Sequence, residues 1–143
     1  MKIEYAVGVD LGGTKIATSL TDSTGKLLSA DLRPTLARDG AERVLQNIGD
    51  SIRAVMTGVE PGRIKGIGVA SPGPVDIKEG MIVDAPNLGR QHFGLFKRLK
   101  DTFRIPSYTY PHTVRDLPIV LPALGDKCGT LGAAAVALKA FGA

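Results

Sequence analysis

The sequence predicts one α/β domain built on a mixed sheet, and three observations carry the prediction. Three β segments follow one another between Tyr5 and Arg33 with only tight polar turns between them, which implies antiparallel pairing. A helix-period stretch then precedes another β run, and the chain closes on a helix of small residues. With 143 residues and 43% hydrophobic content, the chain suffices for one core that buries about two-thirds of its unfolded surface, but not for two full domains.

Tyr5 to Asp10 is an apolar run of strand length, and Leu11-Gly12-Gly13 turns it into a second strand, Lys15 to Thr21, apolar at Ile16 and Leu20. The polar turn Asp22-Ser23-Thr24-Gly25 leads to a third strand within Lys26 to Arg33. Asp39 followed by Glu42 has the form of a capping box, and Val44, Leu45, Ile48, Ile52, Val55 and Met56 then recur every three or four positions as far as the stop at Gly58. Glycines interrupt the alternation of Ile64, Ile67 and Val69 in the run Arg63 to Ala70, which predicts a strand buried on both faces.

Ser71-Pro72-Gly73-Pro74 ends that strand, and Val75–Ile77 with Met81–Val83 form a small hairpin about Lys78-Glu79-Gly80. After the loop Ala85-Pro86-Asn87, a helix carries Leu95, Phe96, Leu99 and Phe103 on one face. A β segment, Pro106 to Tyr110, and an irregular connection from Pro111 to Leu124, with a strand at Ile119 to Leu121, lead to the last helix, Gly129 to Phe141. In that helix Leu131, Ala134, Ala135 and Leu138 share a face, Gly132 and Ala133 leave room for close backbone approach, and Asp126 is the expected cap. No repeat or low-complexity tract breaks the order, so residues 1–143 read as a single domain.

Composition excludes several classes of function. The formal net charge of +4 is modest and reads as a solubility feature. The nearest approach to a basic patch is Lys97, Arg98, Lys100 and Arg104, an ordinary solvated helix face, so nucleic acid is not an expected partner. No apolar run reaches the ~20 residues that cross a bilayer, and the start of the chain has no signal-peptide plan, so the expectation is a cytoplasmic protein without a membrane partner. Cys128 has no second cysteine to pair with and, beside only His92 and His112, cannot build a zinc cage. We expect it to be a buried structural thiol, and His112 to be a surface histidine rather than a base.

The string that carries chemistry is Asp10-Leu11-Gly12-Gly13-Thr14-Lys15. Its glycines let backbone N–H groups approach oxygens, Thr14 adds a hydroxyl, and Asp10 could hold water around a magnesium ion. It matches neither the Gly-Lys-Ser/Thr phosphate loop nor the Gly-x-Gly-x-x-Gly turn. On spacing alone, a plain tight hairpin fits it as well as a phosphate site does.

Three further stretches accompany it in order: Gly66-Ile67-Gly68-Val69-Ala70-Ser71-Pro72-Gly73-Pro74-Val75-Asp76, Ala85-Pro86-Asn87-Leu88, and Leu124-Gly125-Asp126-Lys127-Cys128-Gly129-Thr130-Leu131-Gly132-Ala133-Ala134. Together the four resemble the ROK family of sugar kinases and repressors, glucokinase-like members included. Residues 1–108 resemble that family's N-terminal domain, and residues 117–143 its last strand and helix. The resemblance implies a ribonuclease-H-like small domain of the actin/hexokinase type, a mixed sheet with a three-strand antiparallel meander flanked by helices. It implies ATP-dependent phosphorylation of a hexose hydroxyl as the ancestral activity, with ATP and Mg as cofactors. The site residues it implies are Asp10, Gly12, Gly13, Thr14 and Lys15 for phosphate, with Asp10 toward the metal, and Gly73, Pro74, Pro86 and Asn87 at the sugar.

The large domain of that family has no counterpart between the two blocks. Where the family continues from a strand like Ile105-Pro106-Ser107-Tyr108 into a Glu-Asn-Asp segment bearing the catalytic base, this chain reads Thr109-Tyr110-Pro111-His112, and Glu-Asn-Asp occurs nowhere in it. No catalytic residue is therefore assigned, since phosphoryl transfer needs a base within hydrogen-bond reach of the acceptor. Asp76 and Asp84 are expected to be solvated loop carboxylates rather than surrogates. The expectation is a kinase by descent, impaired alone. The alternative is a non-catalytic nucleotide- or partner-binding domain, acting as a homo-oligomer or with a partner that supplies the missing part.

Overall fold

The computed structural model describes residues 4–71, 75–76, 81–85, 90–103 and 128–140. Strands β1 (Tyr5–Leu11), β2 (Lys15–Asp22) and β3 (Leu27–Pro34) form the expected antiparallel meander. Helix α1 (Ala41–Val55) then crosses over to β4 (Ile64–Ala70), which pairs parallel to β1, so the sheet order is β3-β2-β1-β4. A parallel neighbour requires such a crossover, because a tight turn only returns the chain antiparallel.

The two-residue period of β1 sorts its side chains between two layers. Val7, Val9 and Leu11 join Ile16 and Leu20 of β2 beneath Val44, Ile48, Ile52 and Val55 of α1, all at most 2% exposed. On the other side Ala6 meets Ala134, Ala137 and Leu138 of α3 (Cys128–Ala140). This second layer is thin because α3 approaches the sheet through its backbone. Gly8 and Gly68 stand opposite one another in the β1–β4 register, and a Cβ on either would collide with an α3 carbonyl, that of Thr130 or of Ala133 respectively.

Two expectations about helix faces change here. The room for close approach comes from the strand glycines, whereas Gly132 is exposed with open space around it. Ala135 is likewise exposed, and Thr130, Ala133, Ala134 and Ala137 are the buried positions. With small residues on every side of α3, sequence alone does not tell which face docks.

The capping box does not form. Ala37–Asp39 is a 3-10 turn, Gly40 at φ +96° leads into α1, and no side chain caps the helix. Glu42 instead accepts from Arg98 of α2 (Leu95–Phe103), the Nη2–Oε2 distance being 2.7 Å. Leu99 of α2 enters the α1-side core, and the Arg53 guanidinium lies 5.4 Å from the centre of the Phe103 ring. β4 is half-buried over most of its length, with only Gly66 fully buried, rather than enclosed on both faces.

β5 (Val75–Asp76), β6 (Met81–Ala85) and β7 (Arg90–Phe93) form a second antiparallel sheet in that order. Asp76 and Asp84 thus stand in strands, not loops. β7 escaped prediction because Arg90-Gln91-His92-Phe93 shows no apolar alternation; pairing with β6 makes it a strand. The expected segment Pro106–Tyr110, the strand Ile119–Leu121, Arg104, His112 and the Asp126 cap lie outside the described residues. Among the described residues no helix is long and apolar enough to cross a membrane.

One polar chain crosses the α1 layer. The Ser51 hydroxyl lies 2.8 Å from Thr18 Oγ1 and 2.6 Å from Asp31 Oδ2, and Arg33 Nε donates to the same carboxylate oxygen at 2.7 Å. Burial pushes the Asp31 carboxyl up, but the hydrogen bonds from Ser51 and Arg33 and the guanidinium charge outweigh it, leaving the group below its ordinary value. A pKa lower in the folded chain than in the unfolded one stabilises the fold above the unfolded value, about 3.9. That contribution disappears as pH falls through the lower, folded value. Asp31→Asn is expected to lower the urea midpoint at neutral pH, with the difference from wild type shrinking below about pH 4; a difference that grows on acidification would contradict it.

Candidate functional site

β1 and β4 run parallel, so their carboxyl ends, Asp10–Leu11 and Ala70–Ser71, lie side by side, with Asp10 registered against Ala70. The carboxyl ends of parallel strands are where open α/β sheets bind ligands, because the turns there leave a crevice. The N-terminal turn of α3 joins them. A Cβ on Gly129 would overlap the Asp10 carboxylate, so glycine alone lets that carboxylate sit against the first turn of the helix. The positive end of the α3 dipole favours a carboxylate there.

The turn itself is a narrow hairpin. Gly12 N–H donates to the Lys15 carbonyl at 2.9 Å, and a Cβ on Gly12 would lie 2.9 Å from that oxygen. Gly13 is half-buried, whereas Thr14 and Lys15 are exposed. Among the described residues nothing accepts a hydrogen bond from the N–H groups of Gly13 and Thr14, and the half-buried Asp10 carboxylate has no hydrogen-bonding partner. Unpaired donors and a carboxylate at one turn can receive a phosphate oxygen and a hydrated cation respectively. Among the described residues no group of three or more His, Cys, Asp and Glu gathers to hold a metal directly.

Thr35 holds this turn, and sequence reasoning passed over it. Fully buried, it donates its hydroxyl to the Gly12 carbonyl at 2.7 Å and its N–H to the Thr14 carbonyl at 2.9 Å. Asn47 of α1 donates to the neighbouring Pro34 carbonyl at 3.0 Å, tying the same segment to the helix. No local pattern marks a threonine just past a strand as support for a turn 23 positions earlier. Thr35→Val preserves shape but strips the Gly12 carbonyl of its donor, and is expected to cost about 1–3 kcal/mol. Faster hydrogen exchange at the Gly12 and Thr35 amides than in the rest of the sheet would report it; unchanged exchange would show that the hydroxyl does not hold the turn.

Asp10, Gly12, Gly13, Thr14 and Lys15 are thus brought together at one sheet end, with Ser71 and Gly129 beside Asp10. Gly73, Pro74, Pro86 and Asn87, expected at the sugar, lie outside the described residues. Among the described residues Ser71 Oγ, buried at the same sheet end, has no hydrogen-bond partner.

Comparison with known proteins finds similar chains among ROK glucokinases and hexokinases. A sequence model described as the ROK family matches residues 6–111. A glucokinase of Thermotoga maritima is 36% identical over 86 residues, 60% of this chain and 26% of its own length. A glucokinase of Halalkalibacterium halodurans is 30% identical over 108 residues, 74% of this chain and 33% of its own. Among solved structures, the Streptomyces griseus ROK glucokinase in complex with glucose and AMPPNP superposes at TM-score 0.63 with 28% identity, over 73% of this chain and 31% of that one. The ROK hexokinase of Thermus thermophilus superposes at 0.61 with 35% identity, over 71% and 33%. The chain spans a third or less of the length of these relatives.

Proposed function

The chain belongs to the ROK family and carries its actin/hexokinase-type α/β fold, and on that premise we propose that it is the phosphate-binding part of a glucokinase-like, ATP-dependent hexose kinase. The observation that carries the proposal is the Asp10–Lys15 turn, where among the described residues the N–H groups of Gly13 and Thr14 and the Asp10 carboxylate have no partner, at the carboxyl ends of β1 and β4. Gly13 and Thr14 would receive phosphate oxygens, Lys15 would balance their charge, and Asp10 would hold the hydration shell of magnesium. Bound Mg-ATP would supply the γ-phosphoryl group. Gly73, Pro74, Pro86 and Asn87 would border the hexose.

A second reading is favoured by one feature of the sequence. With no Glu-Asn-Asp string, nothing takes the proton from the attacking hydroxyl, so this chain alone would bind without turnover. Half of a cleft also supplies only part of the contacts of a closed pocket, so binding at roughly millimolar or weaker is expected.

The experiment is a titration with ATP, with and without magnesium, followed by backbone amide resonances, beside a coupled assay on a panel of hexoses. The expected result is shifts at Gly13 and Thr14 that saturate at lower ATP when magnesium is present, loss of that magnesium effect in Asp10→Asn, and no turnover. Absence of shifts at the turn would refute the phosphate site, and turnover abolished by Asp10→Ala would refute the non-catalytic reading.

A further inference from the structure

We propose that α3 is a releasable clasp, which lifts from the sheet as a unit while the α1 layer stays folded and thereby uncovers the Asp10 carboxylate. This holds whatever ligand the Asp10–Lys15 turn takes.

α3 runs antiparallel to β1: Gly129 lies against Asp10, the Thr130 carbonyl against Gly8, and Ala134 and Ala137 against Ala6. Registered residues of neighbouring strands share a face, so the ladders give the floor beneath the helix. Beside Ala6, Gly8 and Asp10 of β1 stand Thr21, Ser19 and Ala17 of β2, and Gly66, Gly68 and Ala70 of β4. That floor holds no large apolar side chain. Leu32 of β3, registered with Ala17, extends the same face but is 66% exposed, so it adds little to the contact. The opposite face of β1 and β2 carries Val7, Val9, Leu11, Ile16 and Leu20 under α1.

Two groups of the floor oppose docking. Ser19 and Thr21 are each 2% exposed, and among the described residues their hydroxyls have no hydrogen-bond partner. A buried hydroxyl without a partner disfavours burial by at least as much as one buried methylene group favours it. Two of them offset most of what the methyl groups of Ala6, Ala134 and Ala137 contribute. Lifting α3 returns both hydroxyls to water. It leaves the α1-side core intact, since among the described residues no residue of α3 enters that core. Elements with few buried apolar contacts are the ones that open below the free energy of global unfolding.

At the site end the closed state is favoured by the Asp10 carboxylate, which sits at the positive end of the α3 dipole. Coupling between two equilibria is reciprocal, so whatever draws that carboxylate away also loosens α3.

Native-state hydrogen exchange of the whole chain tests the proposal. In low urea, α3 amides are expected to exchange through an opening with a shallower urea dependence than that of α1 amides, because it exposes less surface. Ile52→Ala is expected to speed exchange in α1 and leave α3 unchanged, since the open and closed forms share the α1-side core. Ser19→Ala with Thr21→Val removes both hydroxyls at nearly constant shape and is expected to slow α3 exchange about tenfold or more. Asp10→Asn is expected to speed it about two- to five-fold. α3 exchanging with the urea dependence of α1, equal acceleration of both helices by Ile52→Ala, α3 exchange no slower without the two hydroxyls, or α3 exchange indifferent to Asp10→Asn would each overturn the proposal.

Discussion

Gly68→Ala lifts α3 from the sheet. The added Cβ falls on the Ala133 carbonyl oxygen and within 2.6 Å of its carbon, and its main obstacle is helix backbone rather than a side chain that can turn away. Overpacking of a core commonly costs about 1–3 kcal/mol, and a clash with backbone on both sides belongs at or beyond the top of that range. Gly8→Ala meets the Thr130 carbonyl and the Ala134 amide in the same way. Because the two glycines are register partners under one helix, the double variant should cost less than the sum of the singles, α3 having already moved. Urea unfolding measures the cost, and hydrogen exchange at α3 amides locates it. Unchanged stability, with α3 still protected, would mean that the helix does not rest on these strands. The consequence reaches the site, since α3 brings Gly129 against Asp10.

Ile52→Ala is expected to cost about 2–5 kcal/mol. Ile52 is fully buried between α1 and the meander, amid Val7, Val9, Leu11, Ile48 and Val55. Removing three carbons forfeits their transfer free energy and leaves a cavity that neighbours from two elements cannot close together. Within a total of about 5–15 kcal/mol for an ordinary domain, the loss is enough to leave a substantial unfolded population near the upper end of physiological temperature. The thermal midpoint should drop by several degrees, while Leu28→Ala on the exposed strand face stays within about 0.5 kcal/mol of wild type. Equal losses at the two positions would place the core elsewhere.

Most strands and helices of this fold were legible because their signals are local. The tight turns at Gly12-Gly13 and Asp22–Gly25 force a meander, and the three-to-four spacing from Val44 to Val55 makes a helix that needs one apolar partner. The Asp10–Lys15 turn stood out as a candidate site because its residue types are unusual together. What failed did so for stated reasons. The Asp39–Glu42 box lost to Gly40 at a positive φ and to Arg98, which lies 56 positions from Glu42. β7 exists through its partner, and the docking face of α3 is invisible in a helix with small residues on every side.

Thr35 marks the boundary most clearly. Residue order dictates that a glycine hairpin opens this domain and that one carboxylate precedes it; backbone sterics alone require that much. Which groups that hairpin leaves free to bind depends on what lies against it. Thr35 takes the Gly12 and Thr14 carbonyls, and Gly129 makes space beside Asp10. Those contacts join residues dozens of positions apart, and they arise from the crossover through α1 and the return of α3, because hydrogen bonds and close packing act through distance in space and not along the chain.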